Sequence, residues 1–203
     1  MTGNGEHLGK RKVLPPDERR EMILEAALEV FSRGGFQEAE VDDIAQVAQV
    51  GKGTIYRYYP SKQDLYVAVV ERVFNQLQDR VQVPDQGALS LEEIMLRGMT
   101  AHVEFFTENP RCWRVLMVGR KEDHFAPLCD TVLAHQAIKE GIMVRIRESI
   151  ANGNFREVDP EFAAYALMAL AATVVEKHFH QKTDTRQADI KSALDIYLRG
   201  IKK

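Results

Sequence analysis

Between Gly51 and Leu65 the chain reads GKGTIYRYYPSKQDL, with Lys52, Arg57 and Lys62 set among Thr54 and three tyrosines and no acid before Asp64. These groups carry positive charge or donate hydrogen bonds. Arginine and lysine can read the acceptors of guanine in a major groove, and a threonine can touch the methyl of thymine. Phenols and ammonium groups can hold phosphate oxygens, which sets register without reading sequence. On a helix, Lys52, Thr54, Tyr56 and Arg57 share an outer face. Tyr58, Tyr59 and Lys62 fall at its end, where a backbone contact is expected. The chemistry suggested is contact with a polyanion.

The whole chain is not a polycation. Its 203 residues hold 27 Lys and Arg against 30 Asp and Glu, a net charge of −3. Nucleic-acid binding must therefore come from a local patch. A hydrophobic fraction of 45% is ordinary for a globular protein and allows a real core. The two cysteines, Cys112 and Cys129, imply no disulfide framework, which fits a reducing, cytoplasmic setting. Lys10-Arg11-Lys12 has no apolar run behind it, so no signal peptide is read. The longest apolar run, Phe162 to Val175, falls short of the roughly 20 residues of a membrane span. It reads as a helix buried in protein, with no membrane partner.

Catalysis fits poorly. Cys112 has no histidine at a recognisable spacing, and a lone cysteine is usually an inert small hydrophobe. His178 and His180 are two apart and point in different directions on a helix, unlike the i, i+4 pair of a helical metal site. No glycine-rich phosphate loop occurs. The expectation is no enzyme, no metal and no cofactor.

The elements that must position the cationic stretch are helical. Period-2 alternation is not sustained anywhere, whereas 3.6-residue patterns recur, giving an all-α chain of about nine helices. A polar arm covers residues 1–16; its Lys10-Lys12 run could reach a minor groove but reads more simply as solvated tail. Pro15-Pro16-Asp17 opens a helix stopped by Gly34-Gly35. Short helices are expected over Val41 to Val47 and Lys52 to Tyr58, the layout of a helix-turn-helix. Ile44, Ala48, Val50, Ile55 and Tyr58 would bury its inner faces, with Asp42 and Asp43 turned away from nucleic acid. Pro60 breaks the chain and Ser61 can cap a helix running to about Val81, with Asp64 in the capping-box position. Helices then follow over Ser90 to Phe106, Cys112 to Val118, and Pro127 to about Ile150. The last two are expected from Asp159-Pro160 to Phe179 and from Thr185 to Gly200.

The strings AALEVFSRGGF, VDDIA and KGTIYRYYPSKQDL closely resemble the N-terminal domain of the TetR family of transcriptional regulators. The resemblance covers about a quarter of the chain at motif level; the remainder matches in helix count and placement. Three residues depart from the usual pattern. Glu40 and Gly51 stand where hydroxyl caps are common, and Gln49 stands where glycine makes the turn. A non-glycine residue there costs about 1 kcal/mol. The resemblance implies an N-terminal three-helix DNA-binding domain over residues 17–62 and a helical effector-binding and dimerisation domain over 63–203. It implies base-edge contacts from Lys52, Gly53, Thr54, Tyr56 and Arg57, and phosphate contacts from Tyr58, Tyr59 and Lys62. The partners it implies are double-stranded DNA with a palindromic operator, a small-molecule effector and a second copy of the chain.

A two-fold dimer reaches half-sites about 34–36 Å apart or a multiple of that, so a dimerisation surface is expected. The alanine-rich DPEFAAYALMALAATVVEKHF offers small apolar residues all round, and the final helix offers Ile190, Leu194, Tyr197, Leu198 and Ile201. By resemblance these two helices form an intersubunit four-helix bundle. Met95, Met99, His102, Phe106, Trp113, Met117 and Met143 are the candidate lining of a pocket for a fairly hydrophobic effector, with His102 or Arg114 meeting a polar group. Such residues at helical spacing are also ordinary core, and periodicity does not separate the two. The functional reading is a repressor released from DNA by its ligand. The alternative is a ligand-independent activator or architectural DNA-binding factor.

Overall fold

A computed structural model describes residues 15–82, 89–119, 133–181 and 183–203, of which 118, 119 and 133–135 as backbone only. Residues 1–14 of the polar arm and the helix start expected at Pro127 lie outside these residues. Nine helices are present among the described residues: α1 Pro16–Glu38, α2 Val41–Val47, α3 Lys52–Tyr58, α4 Lys62–Val81, α5 Leu91–Glu108, α6 Pro110–Gly119, α7 Leu133–Ala151, α8 Pro160–His180 and α9 Arg186–Ile201. The extended pairing recorded there is one isolated bridge, Phe155 with Lys202. The all-α expectation holds, and the sequence punctuation explains the boundaries.

Gly35 stands at φ 79° inside α1, which makes a sharp bend where the sequence shows Gly34-Gly35. A left-handed backbone there is cheap only for glycine. The bend brings Phe36 back onto the core. Phe31 meets Tyr66 edge-on with centroids 5.1 Å apart, and Phe36 meets Tyr66 at 5.5 Å. Tyr66 is itself buried, and its hydroxyl donates to the Val115 carbonyl at 3.0 Å. One α4 side chain thus joins α1 to α6.

Helix α4 begins where Ser61 accepts from the Asp64 amide at 3.1 Å, satisfying a backbone donor that the first turn would leave bare. Leu65, Tyr66, Val69, Val70, Val73, Phe74 and Leu77 form its buried face. It packs against α1, α5, α6 and α7, so it belongs to both ends of the molecule. Ser90 opens α5 with a reciprocal capping box to Glu93. Asp159 caps α8, with Pro160 at its first position.

Helices α8 and α9 run antiparallel: Tyr197 donates to the Ala163 carbonyl at 3.0 Å, and Lys177 pairs with Asp189 at the other end. The final-helix stripe of Ile190, Leu194, Tyr197, Leu198 and Ile201 is buried within its own chain. The outward apolar surface is carried instead by Phe162, Tyr165 and Phe179 on α8 and Ile196 on α9; Phe162 is 74% exposed and Ile196 65%. By length and composition α8 could cross a membrane, and a third of its apolar window is buried in the chain. Helix α8 thus has one face covered by its own chain and one open.

Candidate nucleic-acid interface and effector cavity

Helix α3 has seven residues, too few to hold together alone in water. It exists because it docks. Ile55, 1% exposed, is its one fully buried side chain, with Tyr58 half-buried against the same core. Lys52, Gly53, Tyr56 and Arg57 are exposed and Thr54 is half-buried. The turn into α3 passes through Gln49 at φ 51°, the left-handed position that the sequence assigns to it. Neither Glu40 nor Gly51 makes a side-chain cap bond, so α2 and α3 both start without one.

The residues expected on phosphate separate. The Tyr59 ring is 7% exposed and belongs to the core; burial pushes its phenol up, while Arg20 beside it pulls it down. Lys62 donates to the carbonyls of Gln37 at 3.3 Å and Ala39 at 3.0 Å and lies 4.5 Å from the Phe36 ring centroid. It ties the start of α4 to the segment leading into α2. An ammonium has three donors, so one remains beyond these two. Arg57 lies 5.5 Å from the Tyr58 ring centroid, within cation–π range.

Asp42 departs from the expectation that it turns away. Its Oδ2 accepts from the Lys52 Nζ at 2.8 Å, which sets an acid beside the first cation of α3. That bond holds the Lys52 ammonium above the ordinary lysine range. The two residues are ten apart in sequence, and no helical periodicity links them; only the docking of α2 on α3 brings them together.

A cavity of about 330 Å³ lies between α4, α5, α7 and α8. Met95, Met99 and His102 line it, as their helical spacing allowed. Phe106, Trp113, Met117 and Met143 do not. Phe106 packs edge-on against His102 and Trp113 at 5.0 and 5.2 Å, and Trp113 donates to Glu176 at 3.2 Å. Met143 is 8% exposed within the core, and Met117 packs partly buried against it. The remaining apolar wall comes from Val81, Ile94, Ile138, Ile142, Leu167 and Ala171, and the polar edge from Gln78, Gln82 and Arg145. Arg114 is exposed and is not among the lining residues, so Arg145 is the guanidinium at the cavity. Gln78 and Gln82, the residue capping the end of α4, are one turn apart, a spacing that gave no sign of a pocket.

Cys112 is 4% exposed, and burial pushes its thiol up to about 11. It stays protonated at neutral pH and is a poor nucleophile. Among the described residues no group of three or more His, Cys, Asp or Glu could hold a metal ion.

The family model for bacterial regulatory proteins of the tetR family matches residues 23–69, which span most of α1, all of α2 and α3 and the start of α4. Residues 23–69 are a TetR-family N-terminal domain. TetR-family proteins are DNA-binding transcriptional regulators, and the relatives agree. An HTH-type transcriptional regulator of Bacillus subtilis, YhgD, is 23% identical over 181 residues, 89% of this chain and 95% of its own. The repressor KstR of Rhodococcus jostii is 39% identical over 79 residues, 39% of this chain and 37% of KstR. Among solved structures, FadR of B. subtilis in complex with stearoyl-CoA superposes with a TM-score of 0.78 at 22% identity, over 89% of this chain and 98% of FadR. At that identity the superposition speaks for the TetR fold alone.

Proposed function

We propose that this TetR-family regulator is a homodimeric repressor that binds a palindromic operator in the cytoplasm and leaves it when a small, fairly hydrophobic ligand fills the cavity between α4, α5, α7 and α8. Residues 17–62 act as the DNA-binding unit and residues 63–203 as the effector and dimer unit. The observation that carries the reading is the exposed surface of α3: one buried anchor, Ile55, holds a rod whose Lys52, Gly53, Tyr56 and Arg57 face outward. A helix of this width fits the major groove. Lys52, Gly53, Thr54, Tyr56 and Arg57 meet base edges, and Tyr58 and Lys62 meet phosphates, with Tyr59 supporting them from the core.

The ligand side rests on the cavity, whose volume is near the lower end for small-molecule sites. Its methionine and aliphatic walls suit an apolar body, and Arg145 and the two glutamines suit a polar end. FadR, of the same fold, was solved with an acyl thioester bound, which is compatible with that division. Helix α4 lines the cavity and carries Lys62 at its other end. A ligand that prefers one position of α4 changes the spacing of the two α3 helices; only this difference in affinity between the two spacings can shift the equilibrium.

The test is selection of random duplexes by the purified chain, followed by titration of the enriched duplex against a hydrophobic compound library. A palindromic consensus and a compound that weakens binding support the reading. Enrichment of no duplex defeats it, and a consensus that no compound disturbs favours the ligand-independent alternative.

A further inference from the structure

The proposed interface leaves one feature unexplained, an acid placed against the first cation of the reading helix. Lys52 and Asp42 are 2.8 Å apart, with side chains 45% and 68% exposed. An exposed ion pair contributes little to stability, so the fold gives no strong reason for it. A carboxylate near DNA is repelled by phosphate, so the backbone gives no reason either. Base edges do. The Lys52 ammonium has three N–H donors and spends one on Asp42. The carboxylate spends one oxygen and retains acceptor capacity. Side by side, the pair presents two donors and then an acceptor.

In the major groove a G·C pair shows two acceptors, N7 and O6 of guanine, followed by a donor, N4–H of cytosine. That row is the complement of the Lys52–Asp42 pair. A·T and T·A show acceptor, donor, acceptor, and C·G shows the G·C row reversed. Each of these sets the carboxylate against an acceptor or the ammonium against a donor. We infer that Asp42, paired with Lys52, is a specificity-determining residue that reads one G·C base pair in each half-site, the lysine on guanine and the aspartate on cytosine. This rests on α3 entering the major groove, as proposed above. Asp43, next in the chain and bordering a groove between α1 and α2, has no such place.

The experiment is random-duplex selection with the wild-type chain, Asp42→Ala, Lys52→Ala, the double variant and Asp43→Ala, with thermal unfolding of each as a check on folding. The wild type should return one G·C pair per half-site that Asp42→Ala and Lys52→Ala both relax. In competition against a duplex with A·T at that position, discrimination should fall roughly tenfold in each single variant. The double variant should lose little more, since the two residues act together. Asp43→Ala should keep the wild-type consensus and unfold like Asp42→Ala. An unchanged consensus for Asp42→Ala overturns the inference, as does an equal shift for Asp43→Ala, which reports bulk charge alone. A wild type that enriches no duplex is a different failure, that of the DNA-binding reading.

Discussion

Gly53 separates what a residue does for the fold from what it does for binding. A Cβ built there meets nothing within 4 Å, and its backbone is not left-handed. Alanine at an exposed helical site gains about 1 kcal/mol over glycine. Gly53→Ala should therefore raise stability in a urea titration. If the α3 backbone approaches a base there, the same methyl should weaken operator binding severalfold by anisotropy. Equal affinity would move Gly53 away from the groove. Neighbouring positions show why residue type alone misleads. Gly51 has φ −74° and needs no glycine, whereas Gln49 occupies the strained turn at φ 51° without being one. The Lys52–Asp42 pair, like the carbonyl ties of Lys62, joins residues distant in sequence.

At the scale of elements, short helices are held by neighbours and long ones by their own caps and stripes. Helix α3 depends on Ile55; α4 has Ser61, Asp64 and a full buried face. The α8–α9 hairpin carries a titratable probe of its packing. Tyr197 is 5% exposed, its hydroxyl donates to Ala163, and burial pushes its phenol up to about 12 from the ordinary value of 10.0. A phenol whose folded value is raised keeps its proton in the native state after the unfolded chain has lost it. Its contribution is whole below pH 10 and declines as pH rises from 10 toward 12. Wild type should exceed Tyr197→Phe by about 1 kcal/mol at neutral pH, and the gap should close above pH 10. Chemical denaturation at a series of pH values measures it. A constant gap would show the phenol free to ionise in the native state.

At the scale of the whole molecule, the open apolar face of α8 and α9 is where the proposed homodimer would form. Phe162 and Ile196 are exposed at 74% and 65%, so replacing them costs the lone subunit little. Phe162→Asp with Ile196→Asp should give a folded monomer by sedimentation, with near-wild-type thermal stability of the subunit and much weaker operator binding. A variant that still sediments as a dimer would place the interface elsewhere. The cavity belongs to this scale too: its walls come from four helices spread over residues 78–171. Between the two sites runs α4, lined up with the cavity at one end and tied by Lys62 to the α1–α2 segment at the other.

The helix order, the helix starts at Ser61, Ser90 and Asp159 and the exposed face of α3 were legible in the chain, and Gly34-Gly35, read as a helix stop, proved to be a bend from which α1 runs on to Glu38. Each depends on interactions within a few residues, where 3.6-residue spacing and special backbone angles act directly. What the chain could not reveal depends on surfaces meeting from far apart. Packing against distant helices decided that Met95, Met99 and His102 border space while Phe106, Trp113 and Met143 fill it, that the α9 stripe lies inside its own subunit, and that Asp42 turns toward Lys52. Periodicity names the face of a helix that is covered, but the partner that covers it, and any gap left between them, arises only when the helices dock.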